Sequence, residues 1–145
     1  MNVMESKVTT PHCLHQAQTK TLKALVVEDN RMIQMVHKSF LKQLGFDVQI
    51  ASNGTEAIHM YSPEHCLILL DINLPDIDGT EVSRIIRNNP GGRHVQIIAL
   101  TAYNRDEVEN RCLAAGINKI LTKPVMFQQL QGSLLDEFEG AMTAV

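Results

Sequence analysis

No excess of positive charge runs through this sequence. Thirteen Lys and Arg face sixteen Asp and Glu, a formal net charge of -3, which supplies no general attraction to a nucleic-acid backbone or an anionic membrane. Any partner has to be recognised locally. Long hydrophobic runs are also missing: no stretch approaches the length of a membrane span. Met1 to Leu22 is broken by Glu5, Lys7, His12, His15 and Lys20 and so lacks the apolar core of a secretory signal. Cysteine is scarce and odd in number. Cys13, Cys66 and Cys112 are widely spaced, which suits reduced thiols and a cytoplasmic location better than a disulfide framework. Cys66 opens an apolar run and is expected in the core.

What is present is enough for one folded unit. With 145 residues and 44% apolar content, the chain can bury one core and is too short for two ordinary domains. Short apolar runs alternate with longer segments of helical period, which predicts an α/β domain with a mainly parallel sheet. The strands are expected at Lys23 to Val27, Val48 to Ala51, Cys66 to Leu70, Val95 to Leu100 and Lys119 to Leu121. Most are apolar throughout, as strands covered on both faces should be.

The first helix is expected from about Asn30 to Leu44, with Ile33, Val36, Phe40 and Leu44 along its buried stripe, and Gly45 stops it. Asn53 with Glu56, and Asn104 with Glu107, resemble caps opening the second and fourth helices; Gly116 closes the fourth. A third helix is expected from about Gly79 to Asn88, ended by Asn89-Pro90-Gly91-Gly92, and a fifth from about Met126 to Phe138. This predicts an N-terminal extension over 1–22, a folded domain over 23–139 and a C-terminal tail over 140–145, both ends being mobile.

In an open parallel sheet the carboxyl ends of the strands meet at one edge, where ligands bind. The first strand exits into Glu28-Asp29, the third into Asp71, the fourth into Thr101 and the fifth into Lys123-Pro124. Three carboxylates brought together repel unless a cation neutralises them. Mg²⁺ fits a site built from Asp29 and Asp71, because it prefers oxygen ligands and commonly takes one or two carboxylates plus phosphate oxygens. Phosphoryl transfer needs an in-line nucleophile and positive charge around the equatorial oxygens. Asp71 would be that nucleophile, Lys123 a point charge on one phosphoryl oxygen, and Thr101 a hydrogen-bond donor to another.

Each residue also has a plainer reading. Glu28-Asp29 would serve as a cap for the first helix, Asp71 as a turn opener, Thr101 as a cap, and Lys123 as a solvated lysine. Their joint placement at successive strand exits is what favours the phosphate site. Asp76 and Asp78 are read as turn chemistry, with Asp78 capping the third helix. His12 and His15 beside Cys13 lack a fourth ligand and a periodic scaffold, so a metal site there is not expected.

These residues match a known pattern. Val26-Val27-Glu28-Asp29-Asn30, Leu69-Leu70-Asp71-Ile72-Asn73-Leu74-Pro75 with Asp78-Gly79, Ala99-Leu100-Thr101-Ala102 and Leu121-Thr122-Lys123-Pro124 together resemble the response-regulator receiver domains of two-component phosphorelay signalling. The likeness runs from about Lys23 to Phe138. It implies a flavodoxin-like (βα)5 fold, a doubly wound parallel sheet of strand order 2-1-3-4-5. It also implies that Asp29 and Asp71 bind Mg²⁺ directly with the main-chain carbonyl of Asn73, while Glu28 acts through water. The phosphoryl donor would be a sensor histidine kinase or a histidine phosphotransfer protein, and the output a protein target, with no nucleic acid and no membrane involved.

Cys112-Leu113-Ala114-Ala115-Gly116 resembles receivers of hybrid sensor kinases. No separate output domain fits in the tails, so a stand-alone receiver is expected, an acceptor that cycles phosphate rather than an enzyme turning over external substrates. The alternatives are a receiver-like binding module that does not cycle, and a small phosphotransferase resembling the haloacid dehalogenases. Those enzymes need a second carboxylate two residues after the nucleophile, where this chain has Asn73.

Many receivers carry Tyr or Phe three residues before the lysine, where this chain has Ile120. Output is therefore expected to run through backbone shifts or through Tyr103, whose ring would also shield the phosphoryl group from water. Met35, off the buried stripe, and Val125 and Met126 are candidates for a docking surface on the donor's side, or for packing beneath the fifth helix.

Overall fold

The computed structural model describes residues 22–102 and 105–142. Tyr103, Asn104, the His12-Cys13-His15 group and residues 1–21 and 143–145 fall outside them. Of the expected extensions, Leu22 instead opens β1 as a buried residue, and Ala141 and Met142 pack against the core. Five strands alternate with five helices: β1 Leu22–Val27, α1 Arg31–Gln43, β2 Phe46–Ala51, α2 Gly54–Met60, β3 Leu67–Asp71, α3 Gly79–Arg87, β4 Gln96–Thr101, α4 Arg105–Ala114, β5 Lys119–Thr122 and α5 Phe127–Phe138. All pairings are parallel, in the order β2-β1-β3-β4-β5. This is the expected doubly wound, flavodoxin-like sheet.

Side-chain alternation along the strands feeds two cores. Ala24 and Val26 of β1, Leu67 and Leu69 of β3 and Ile98 and Leu100 of β4 pack with Leu41 and Leu44 at α1 and Leu130, Leu134 and Phe138 of α5. Their neighbours Leu25, Val27, Ile68, Leu70, Ile97 and Ala99 face Ala57 of α2, Val82 and Ile86 of α3, and Val108 and Cys112 of α4. Helices on both faces explain why the central strands are apolar at nearly every position. The edge strand β2 is different. It starts at Phe46, two residues before the expected Val48, and the more covered Phe46, Val48 and Ile50 alternate with the exposed Asp47 and Gln49 before the buried Ala51.

The predicted stripe on α1 is corrected. The buried residues are Gln34, His37 and Leu41, followed by Leu44, whereas Val36 is 46% exposed and Ile33 and Phe40 only partly covered. The helix is turned by one residue because two polar side chains occupy the inner face. Gln34 donates its amide to the Glu28 carbonyl (2.7 Å) and to Ser52 Oγ (3.3 Å), which satisfies it away from water. Apolar spacing alone cannot register a buried glutamine. Gly45, with φ 101°, ends the helix as expected. Cys66 is buried as predicted, and no described helix is long and apolar enough to cross a membrane.

Candidate functional site

Pairing register sets the strand ends level. Val27 lies beside Ala51 and Leu70, Asp71 beside Leu100, and Thr101 beside Thr122. The residues that leave the sheet at this edge are Glu28, Asp29, Asp71, Thr101 and Lys123, and the first three bring one carboxylate oxygen each to within 4.8 Å of one another. Lys123 Nζ reaches between them, 3.0 Å from Asp71 Oδ2 and 3.1 Å from Glu28 Oε1. Thr101 is fully buried, and its carbonyl accepts from the Lys123 amide at 2.8 Å. Asn73 is exposed and donates its main-chain N–H to Asp71 Oδ1 at 2.9 Å.

The helix cap that the acidic pair could have formed is made by Asn30, whose side chain accepts from the Ile33 N–H at 3.0 Å. Glu28 and Asp29 are thereby released from that task. Glu28 is 1% exposed, and only its Oε2 is hydrogen-bonded, to the Asn30 N–H at 3.1 Å. Its Oε1 touches the lysine but has no hydrogen bond of good geometry. Burial pushes the Glu28 carboxyl above its usual range; the Asn30 N–H opposes this, the Asp71 charge adds to it and Lys123 counters. Burial would lower Lys123, but its bonds and charge attraction to Asp71 and Glu28 prevail and hold the ammonium above its ordinary value. One ammonium shared by two carboxylates is too little to keep Glu28 comfortable.

A divalent cation fits this donor set. Three carboxylates and one ammonium leave two negative charges uncompensated, and the buried Glu28 Oε1 has the lysine contact but no well-formed hydrogen bond. Hard oxygen ligands in a partly open site are the preference of Mg²⁺. Ile120, at the position where an aromatic would be usual, is 3% exposed and packed in the core with Ala99, Cys112 and Ile117. The two docking candidates after the lysine separate: Val125 is 4% exposed and joins the core beneath α5, while Met126 is 62% exposed. Met35 is exposed as expected, beside Met32 and Val36.

Four further residues lie around the edge: Asp76 and Asp78, expected as turn chemistry, and Gly79 and His37, for which the sequence suggested no part in the site. A Cβ on Gly79 would lie 2.6 Å from the Asp71 carbonyl oxygen and 2.7 Å from Ile72 Cα, so only glycine lets α3 start against the strand that carries Asp71. In sequence it reads as an ordinary turn glycine after Asp78. Asp78 caps α3 as predicted, accepting from the Thr80 N–H at 2.8 Å, and also holds Arg111 of α4 at 2.9 Å. Asp76 does more than make a turn, because its carboxylate reaches back to the start of α2. His37 is buried with Nδ1 lacking a hydrogen-bond partner.

Comparison with known proteins gives the family. The family model for the response regulator receiver domain matches residues 24–135. "Probable histidine kinase 1" of Oryza sativa subsp. indica is 34% identical over 144 residues, covering 77% of this chain but 15% of that protein. The hybrid signal transduction protein dokA of Dictyostelium discoideum is 37% identical over 125 residues, 85% of this chain and 7% of that one. The chain thus spans a small part of these relatives. Among solved structures, the receiver domain of a Pseudomonas aeruginosa sensor histidine kinase, described with a magnesium ion coordinated in its active site cleft, is 36% identical. It superposes with a TM-score of 0.73 over 81% of this chain and 97% of that one. The receiver domain of Ssk1 from Saccharomyces cerevisiae, solved with the histidine phosphotransfer protein Ypd1, is 30% identical with a TM-score of 0.73 over 81% of this chain and 88% of that one. A match that begins in the first strand and reaches into the last helix leaves one assignment: the chain belongs to the response regulator receiver domain family of two-component and phosphorelay signalling.

Proposed function

We propose that this receiver, folded over Lys23 to Glu139, is a phosphoacceptor switch in which Asp71 takes a phosphoryl group from the phosphohistidine of a sensor histidine kinase or a histidine phosphotransfer protein. The observation that carries the reading is the placement of Lys123 Nζ at 3.0 Å from Asp71 and 3.1 Å from Glu28 inside a cluster of three carboxylates. An Asp71 oxygen forms the new O–P bond while the P–N bond of the donor breaks, and the departing imidazole takes up a proton. Lys123 is already charged and at hand, so it follows negative charge from the carboxylate onto a phosphoryl oxygen. The Thr101 hydroxyl, at the end of β4, donates to a second one. Mg²⁺, held by Asp29, Asp71 and the Asn73 carbonyl with Glu28 acting through water, would neutralise charge on the transferring group.

The switch follows from the trade that Lys123 makes. Drawing the ammonium and the Thr101 hydroxyl toward a phosphoryl group moves the ends of β4 and β5, and the backbone there carries the change outward without an aromatic at Ile120. The donor would dock where flexible apolar side chains stand in water: Met32, Met35 and Val36 are 75%, 63% and 46% exposed on α1, and Met126 is 62% exposed at the start of α5. Phe40 and Phe127, edge to face at 5.5 Å, make these two helices neighbours. Arg31, Lys38 and Lys42 give α1 positive charge with no acidic residue, suited to an acidic partner surface.

The test is incubation with Mg²⁺ and acetyl phosphate followed by intact mass. Wild-type protein is expected to gain one phosphoryl group and Asp71→Asn none. No gain by wild type, or equal gain by the variant, would refute the proposal.

A further inference from the structure

The feature that the phosphoacceptor reading leaves unused is the carboxylate of Asp76, five residues beyond Asp71 in the loop joining β3 to α3. Its Oδ1 accepts from the Gly54 N–H at 2.8 Å, and its Oδ2 accepts from the Thr55 N–H at 2.8 Å and the Thr55 hydroxyl at 2.6 Å. These donors lie 21 and 22 residues away in sequence, so this is not local turn chemistry. The Thr55 hydroxyl first, then the main-chain N–H groups, hold the Asp76 carboxyl far below its usual range against the opposing effect of desolvation. It is a fixed anion.

The start of α2 is completed by this contact. A helix leaves its first N–H groups without internal partners. Here Asn53 takes the Glu56 N–H at 2.8 Å, Glu56 reaches back to the Ser52 N–H at 2.6 Å, and the Gly54 and Thr55 N–H groups go to Asp76. A second pin lies beside the first. A Cβ on Gly54 would come within 2.4 Å of Ile77 Cγ1 and 2.9 Å of Val82 Cγ2, so the residue following Asp76 is seated where α2 has no side chain.

The same loop is closed at its base by the Gly79 N–H on the Ile72 carbonyl at 2.9 Å. The segment from Asn73 to Asp78 is therefore held at both its base and its crest. Asn73 is the member of that segment whose carbonyl the site requires.

We infer that Asp76 is a positioning residue, a latch from the β3–α3 loop to α2 that fixes the main chain at Asn73 and so sets the affinity of the site for Mg²⁺. The inference rests on the metal-binding reading above. Groups that orient metal ligands without touching the ion typically change affinity by about 10-fold or more when removed. The alternative is that Asp76 stabilises α2 and nothing else.

The experiment compares Asp76→Ala, Asp76→Asn and Asn53→Ala by calorimetric titration with Mg²⁺, by thermal unfolding, and by amide hydrogen exchange in metal-free protein. Asp76→Ala is expected to bind Mg²⁺ about 10-fold more weakly than wild type and to exchange faster at Asn73. Asn53→Ala weakens α2 from its own cap and is expected to lower the unfolding temperature while leaving Mg²⁺ affinity within about twofold of wild type. Asp76→Asn keeps an acceptor oxygen without the charge and is expected to fall between wild type and Asp76→Ala. Mg²⁺ affinity unchanged in Asp76→Ala would overturn the latch, and so would equal losses in the Ala and Asn variants, which would mean that bare charge is at work. Failure of wild-type protein to bind Mg²⁺ would instead overturn the reading of the site itself.

Discussion

His37 offers a prediction whose size follows from its surroundings. The imidazole is 3% exposed on the inner face of α1, and its Nδ1 has no hydrogen-bond partner. Burial first, and the positive charge of Lys123 second, bring its pKa down from 6.5 to about 4. The unfolded chain therefore binds a proton that the folded chain refuses. The stability that His37 contributes is complete above the unfolded value and is lost as the pH falls toward the folded one. Between about pH 7.5 and about pH 5 the difference amounts to roughly 2 kcal/mol, against a ceiling of about 3 kcal/mol at still lower pH. His65, buried and shifted in the same direction, adds to the total, so the two must be separated by substitution. His37→Leu should remove the His37 share while filling the space. Urea denaturation of both proteins at the two pH values measures it. If His37→Leu loses as much stability on acidification as wild type, to within about 0.5 kcal/mol, burial of a neutral imidazole is not what makes the protein sensitive to acid.

Three other outcomes follow from particular contacts. Gly79→Ala drives a methyl into the Asp71 carbonyl and Ile72 Cα; it should cost about 1–3 kcal/mol in thermal or urea unfolding and slow acetyl phosphate labelling, and a stable, normally labelled variant would contradict the close approach. Arg87 gives its guanidinium to the carbonyls of Gly92, Val95 and Gly116 and to Asn118 Oδ1, all between 2.7 and 2.9 Å. Arg87→Lys, with no fork to span them, should lose about 2 kcal/mol or more in urea unfolding. Because Glu28 is raised by burial, its protonation competes with metal, so Mg²⁺ affinity measured by titration should fall on acidification while the pH is still above the ordinary carboxylate range; Glu28→Gln should flatten that dependence.

The sheet was legible because its strands are buried on both faces, which writes them into the sequence as apolar runs. Their order came from resemblance and not from the runs themselves. The edge carrying Glu28, Asp29, Asp71, Thr101 and Lys123 could be found because each lies next to such a run. What could not be read depended on partners distant in sequence. Gln34 and His37 look like surface residues of α1 until the Glu28 carbonyl and the core are brought to them. Gly79 looks like a turn until the Asp71 carbonyl backs onto it. Asp76 looks local until α2 arrives, and β2 conceals its start because an edge strand tolerates Asp47 and Gln49. Asn30 had only to be weighed against its two acidic neighbours for the cap.

The Arg87 contacts have a mechanical side. Their acceptors precede β4 and β5, at the opposite edge from Asp71, and Ser83 Oγ adds a bond to the Ala115 carbonyl at 2.7 Å just after α4. That end of the molecule is clamped. Within α4, by contrast, Val108 and Cys112 are the only buried side chains among those described. The helix is therefore anchored like the pinned end of a lever where it leaves toward β5. A displacement at the opposite edge would then have a fixed point to work against.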